Sequence, residues 1–446
     1  MANREDRFEE VKNWYVSQFN DFEGKLNGHA STFLHDQRKA ALEQLKELSF
    51  PTVKDEQWKY TNVTPILKEN FKVPSTVEET EISQELIDKN LFTGYEYDLL
   101  VFVNGKFNKE FSRVGELPKG TVIDSLANAA KTNAELVQKY INKQFKVDNA
   151  FNALNTAYAI DGLFVYIPEG KMLERPVQVL FLSGNDNEMV LSLPRNLIVA
   201  ENGTAGKVSV HYAGYGSNPY FTNSTTEIIV GEKANLDYIK IQSENEDSFH
   251  IDKTDIHQDR DSIFNHYSFA FGASLSRTDV NSMLDNENIE CHLYGLYLGS
   301  DKRHIDHHTF LDHARPNCMS NEVYKGILDD SSRGVFHGQI LVRPDAQKTN
   351  AYQSNKTVLL SDDSTVDTKP QLEIFADDVK CSHGATVGRL DDEAYFYIRS
   401  RGVEDRMAQS MLIHAFAADV FEAVNIDPMR EKLNHILFDK LNRAEI

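Results

Sequence analysis

The sequence predicts a mainly β protein, in which a solenoid core of short strands lies between an N-terminal and a C-terminal helical region. Three observations carry that prediction. Apolar residues recur at helical spacing near both ends, the long middle reads as short strands broken by Gly, Asn and Asp, and no long helix fits within that middle.

Taken in order, Phe8, Val11, Tyr15 and Phe22 follow one helical stripe, and Leu42, Leu45 and Leu48 mark a second that Pro51 stops. After FPTVKDEQWKYTNV, the segment YDLLVFVNGKFNKEF sets Asn104-Gly105 between two apolar runs, which is the strongest short signal for a β-hairpin. A helical pattern around NAELVQKYIN precedes DGLFVYIPEG, where Gly162, Pro168 and Gly170 bracket a strand from Leu163 to Ile167. From there to about residue 390 short strands follow one another, including RNLIVAENGTAGKVSVHYAG, STTEIIVGEKANLDYIKIQ, RGVFHGQILVRP and PQLEIFADDVKCSHG. Val208, Val210 and Tyr212 alternate with Ser209 and His211, as in a half-buried strand. Such a series fits a sandwich, a barrel or a coiled solenoid. Irregular spacing, the lack of hairpin turns after residue 200 and the length favour the solenoid, although no strict repeat is visible.

The chain then returns to helix. Met407, Met411, Leu412, Ala415, Phe416, Val420 and Phe421 are apolar nearly all round, so this helix packs on more than one side, against the solenoid alone or against a partner as well. Asp427 caps a last helix with Pro428 at its first position, and Met429, Leu433, Ile436, Leu437 and Leu441 form its stripe.

Composition excludes several functions. A formal net charge of −21 opposes any grip on nucleic acid or on an anionic membrane surface, because clustered Lys and Arg hold such partners. The start MANREDRFEEVKNWYV has no apolar secretion core, and no stretch is long enough to span a bilayer, so a cytoplasmic location is expected. Three cysteines, Cys291, Cys318 and Cys381, make no disulfide framework and fit a reducing compartment.

Two constellations raise the question of chemistry. In KCSHGATVG, Cys381 and His383 share one face of a strand, two potential ligands that make only half of a tetrahedral shell. Cys381 reads most simply as a small buried thiol, whereas Gly384 beside His383 allows a backbone or a ligand to come close. The second is RHIDHHTFLDHARPNC, with His304, Asp306, His307, His308, Asp312, His313 and Cys318. It matches no zinc spacing, and such residues in solenoid turns commonly satisfy buried backbone groups. Three scattered cysteines do not hold an iron–sulfur cluster unaided. AENGTAGKV lacks the Ser or Thr of a phosphate loop at Val208, and GATVG has Thr386 where a nucleophile elbow has serine.

Several long motifs in a fixed order resemble the SufB/SufD family of iron–sulfur cluster assembly proteins. These are FPTVKDEQWKYTNV, NTAYAIDGLFVYIPEGKMLERPVQV, IDHHTFLDHARPNCMSNEVYKGIL, AQKTNAYQSNKTVLLSDDSTVDTKPQLEIFADD and VKCSHGATVGRLDDEAYFYIRSRGV, which together span nearly the whole chain. Within the family, Gly384 in CSHGATVG is similar to the SufD branch rather than to the SufB branch. The resemblance implies a right-handed parallel β-helix in residues 96–392, between a helical region in 1–95 and a C-terminal helical domain in 393–446. It implies a non-catalytic scaffold that pairs with a SufB homologue and docks a SufC ATPase homologue on its last helices, where Met407, Met411, Leu412, Phe416 and Val420 are the candidate contacts. His383, and more weakly Cys381, would lie at the SufB interface. There His383 would lend a ligand to iron or a transient iron–sulfur cluster, SufB would supply a cysteine and an acidic residue, and the isolated chain would bind no cofactor tightly. An exposed solenoid edge is also expected to give a homodimer in isolation. The alternatives are a metal-dependent enzyme built on the His304 to His313 cluster, and an exported carbohydrate-acting β-helix protein, against which the missing signal peptide argues.

Overall fold

The computed structural model describes residues 4–26, 32–73 and 81–441. Two ten-stranded sheets face each other, and from Arg195 onward the chain passes from one to the other and back, so that each coil lays one strand on each sheet. One sheet runs from the hairpin Asp98–Val103 and Lys106–Arg113 to Lys380–Gly388, and the other from Val122–Ser125 to Thr365–Ile374. Apart from that hairpin and the antiparallel pair Val122–Ser125 with Leu163–Ile167, the strands pair in parallel. This is the expected β-solenoid.

Local chemistry accounts for the coils. Asn104 and Gly105, with φ of 50° and 75°, make the tight hairpin turn that Asn-Gly favours, and the Asn104 amide reaches the next coil at Gly184. Along one edge Gly203, Lys233, Asp261, Asn288, Asn317 and Lys348 all have positive φ, and each donates its N–H to a carbonyl one coil further on. Gly, Asn and Asp tolerate that left-handed conformation, which explains the punctuation in the sequence. Inside, like residues stack in register. Phe102, Phe181 and Tyr212 form a ladder with ring centroids 4.7 and 5.2 Å apart.

Helices cover the outer faces of the early coils. Arg4–Gly24, Phe33–Glu47 and Ala150–Tyr158 bury Phe8, Tyr15, Phe22, Leu45 and Tyr158 with Phe221 and Phe249 of one sheet. Asp405–Glu422 and Asp427–Lys440 bury Ile413, Val420, Phe421 and Leu433 on Ile239, Phe269 and Leu296 of the other. Lys432 ties that layer to the carbonyls of Lys89 and Leu91. This covering overturns the half-buried reading of residues 208–212, because Ser209 and His211 are buried too. The imidazole of His211 bonds the Asn90 carbonyl at 2.8 Å and the Ser243 hydroxyl at 2.7 Å, so its polar atoms stay paired inside the protein.

Candidate functional site

The covering stops before the solenoid does. Thr365–Ile374 and Lys380–Gly388 are the last strands of their sheets, and among the described residues each has a strand neighbour on one side only. Their free edges present unpaired backbone donors and acceptors, the usual template for another strand. Large apolar side chains surround this open end. Ile374, Phe375 and Val387 are exposed, and the following helix, Asp392–Ser400, buries none of its residues and leaves Phe396 73% and Tyr397 58% exposed. The helix itself is well made, since the Asp391 carboxylate caps it by accepting from the N–H groups of Glu393 and Ala394. Among the described residues only Arg401 lies over this aromatic face, at the Tyr397 ring.

Cys381 and His383 lie on the edge strand, and parallel register places them above Ala351 and Gln353 of the preceding coil. Cys381 is half-buried against the interior core, so the common face of both residues is the inward one. Burial pushes the Cys381 thiol up, although a backbone hydrogen bond at Ala351 works the other way, and a protonated thiol is a weak ligand. His383 is exposed at the mouth of the lumen. A Cβ added at Gly384 would meet nothing within 4 Å, so none of the described residues requires glycine there.

Below His383 the interior column continues through Gln353, Glu322 and Leu293 in successive coils. The Gln353 amide donates to Glu322 at 2.6 Å, and the Thr309 hydroxyl donates to the other carboxylate oxygen. Burial pushes the Glu322 carboxyl up to about 7 against both hydrogen bonds. Sequence reading passed over Gln353, Glu322, Phe396 and Tyr397. The adjacent aromatics in DDEAYFYIRS, on a helix too short to justify both as core, were the available signal for the last two.

The histidine-rich segment is one strand, His304–His313, whose side chains divide between opposite faces. Among the described residues, no group of three or more His, Cys, Asp or Glu is placed to hold a metal ion. Facing outward, Asp306 accepts from Thr61 at 2.5 Å and from Arg277 at 3.0 Å, and Arg277 lies over the Trp58 ring, 3.7 Å from its centroid. Burial alone would raise the Asp306 carboxyl, yet His308 and Arg277 hold it well below the usual range. These residues fasten the DEQWKYT segment to the solenoid. Facing inward, His307 lies 5.3 Å from both Tyr297 and Tyr324, and His313 bonds Ser320 at 2.9 Å. Asp312 pairs with Arg343, and Cys318 donates to the Asn286 carbonyl. The GTAGKV stretch runs into the strand Ala205–Tyr215, with Lys207 paired to Asp237, and not into the loop and helix that cradle phosphates.

The C-terminal candidates separate by burial. Val420 is wholly buried in the contact with the solenoid, because the helix turns that side to the sheet, and it is not available to a partner. Met411 is exposed, while Met407, Leu412 and Phe416 are half-buried.

Comparison with known proteins bears on the whole of this architecture. The family described as SUF system FeS cluster assembly, SufBD core domain, matches residues 181–416, and the SufBD protein N-terminal region matches residues 9–179. The chain belongs to the SufBD family. Family relatives include an iron–sulfur cluster assembly SufBD protein of Synechocystis, 31% identical over 92% of this chain and 91% of its own. The iron–sulfur cluster assembly protein SufD of Escherichia coli is 30% identical over 89% and 90%, and SufD of Bacillus subtilis is 25% identical over 92% and 94%. Family membership assigns the chain to iron–sulfur cluster assembly, and the two family regions together take in the N-terminal helices, the solenoid, the helix Asp392–Ser400 and the first part of Asp405–Glu422. No helix among the described residues is long and apolar enough to cross a membrane.

Proposed function

We propose that this chain is a non-catalytic scaffold subunit of the SUF machinery. It meets a SufB relative at the open end of its solenoid, carries a SufC-type ATPase on its C-terminal helices, and lends His383 to iron or a nascent iron–sulfur cluster shared with the SufB relative. The observation that carries this reading is the open end itself, where two unpaired strand edges lie beside exposed Phe375, Phe396 and Tyr397. A second solenoid laid against that end satisfies the free backbone groups and buries the aromatics together. In isolation a second copy of this chain occupies the same surface, which gives a homodimer. The cluster is cargo in this account. It forms where a ligand from this chain and ligands from the partner complete a shell that neither holds alone.

The C-terminal helices supply the second contact, centred on exposed Met411 with Met407 and Leu412 at its margin. Lys325 reaches from the solenoid to the Phe416 carbonyl at 2.7 Å and to Asp419 at 2.5 Å, so a force applied to that helix is passed to the solenoid as a body. Co-expression of the tagged chain with SufB and SufC homologues, in a cytoplasmic host, tests the proposal. A stable three-protein complex is expected, with ATP turnover confined to the SufC homologue. ATP hydrolysis by this chain alone, or no association with either homologue, contradicts it.

A further inference from the structure

Gln353 is held in one orientation by its own chain. Its side chain is fully buried, and its Nε2 donates to Glu322, which is itself buried and engaged by Thr309. While Glu322 is ionised, rotating the amide by half a turn would set its oxygen against the Glu322 carboxylate, so in that state the carbonyl end is directed away from that residue. That oxygen, Oε1, is buried and has no hydrogen-bond partner. A buried carbonyl left without a donor is costly, and one beside an open end calls for a group that completes it. The next inward-facing side chain in register is His383. Adjacent strands stand about 4.8 Å apart, within reach of an imidazole turned toward the lumen. The facing sheet makes room for the amide, since a Cβ at Gly338 would stand 2.3 Å from Gln353 Nε2.

From this geometry we infer that Gln353, locked by Glu322, is a positioning residue for His383. When a partner covers the open end, the Gln353 carbonyl accepts the N–H of one ring nitrogen of His383. That bond fixes the tautomer and turns the lone pair of the other nitrogen toward the junction. A histidine ligand that donates its second nitrogen in this way is better oriented and more basic, and losing the acceptor typically costs a factor of about 10–100 in metal affinity or activity. The inference rests on the assignment of His383 to the shared site, but its test separates the two.

Cluster assembly is measured on the reconstituted complex as a function of pH for His383→Ala, Gln353→Leu, Gly338→Ala and the exchanged pair Glu322→Gln with Gln353→Glu. Melting temperature and subunit stoichiometry serve as controls for folding. Gln353→Leu should lower assembly about tenfold or more and should add nothing to the loss already seen in His383→Ala, and Gly338→Ala should fall in the same direction by displacing the amide. The exchanged pair keeps the bond between the two side chains and offers His383 a carboxylate, so it should restore assembly and move the acid limb of the profile to higher pH. Impaired assembly in His383→Ala with normal assembly in Gln353→Leu overturns this inference alone. So does rescue by the exchanged pair with no shift in the profile. Normal assembly in His383→Ala removes the His383 assignment and the inference together.

Discussion

Acid should loosen this solenoid well before its carboxylates protonate in bulk, because of histidines sealed inside it. Burial is the leading cause that lowers His211, His313 and His337 to about 4, and His266 and His307 to about 3, and all are buried. Each is neutral in the folded chain and protonates near 6.5 in the unfolded one, so the unfolded state gains protons as the pH falls. The stability tied to these groups is present above 6.5 and is lost progressively toward their folded values. Between pH 7 and 5.5 one such histidine costs about 1.2 kcal/mol, and the five together on the order of 6 kcal/mol. Asp161 and Glu322 act with the opposite sign. Burial raises each to about 7, so they bind protons in the folded chain over the same interval and return on the order of 3 kcal/mol. A net loss of about 3 kcal/mol remains. Urea unfolding followed by far-ultraviolet circular dichroism at pH 7 and pH 5.5 measures it. His307→Phe, which keeps a ring between Tyr297 and Tyr324, should flatten the pH dependence by about 1 kcal/mol. An unfolding midpoint that is equal or higher at pH 5.5, or an unchanged slope in His307→Phe, refutes the reasoning.

Lys325→Met removes two charge-assisted hydrogen bonds to the helix Asp405–Glu422, each worth about 1.5–3 kcal/mol. Hydrogen exchange should quicken across that helix and stay unchanged in the central coils, and uniform protection would show that the lysine does not hold the layer. Arg277→Leu leaves Asp306 buried without its guanidinium partner, a loss of about 3–5 kcal/mol, and proteolysis should then open the segment around Gln57 and Trp58 first. Phe396→Glu with Tyr397→Glu should leave the far-ultraviolet circular dichroism of the isolated chain unchanged, since neither side chain is buried within it, while abolishing self-association in sedimentation analysis. A persisting dimer would place the contact elsewhere.

Much of the architecture was legible because local chemistry agrees with it. Asn104-Gly105 specified its hairpin, Leu163–Ile167 forms a strand at the bounds its glycines and proline set, and the Gly, Asn and Asp breaks mark real left-handed corners. The coil repeat was hidden for a physical reason. Column neighbours such as Leu293, Glu322, Gln353 and His383 need only fit one another across the lumen, so residue type changes from coil to coil while register is kept. Burial of Ser209 and His211 was equally invisible, because it depends on Asn90 and Ser243, which are remote in sequence. Met407 to Phe421 read correctly as a helix apolar on several sides, but which side meets the solenoid is decided by Phe269 and Leu296, and that choice buries Val420. Cys381 and His383 stood out from their motif. The support beneath His383 did not, since Gln353 and Glu322 carry no motif and meet only through the parallel register.

The central claim is that the open end of this solenoid completes a cluster site shared with a SufB relative, with His383 as this chain's ligand. The most direct measurement is the iron and acid-labile sulfide held by the co-purified complex, compared between the unaltered chain and His383→Ala at equal subunit stoichiometry. The account predicts an intact complex in both cases, with iron and sulfide lost in His383→Ala. An intact His383→Ala complex that holds the same iron and sulfide as the unaltered one, and activates an acceptor protein at the same rate, contradicts it.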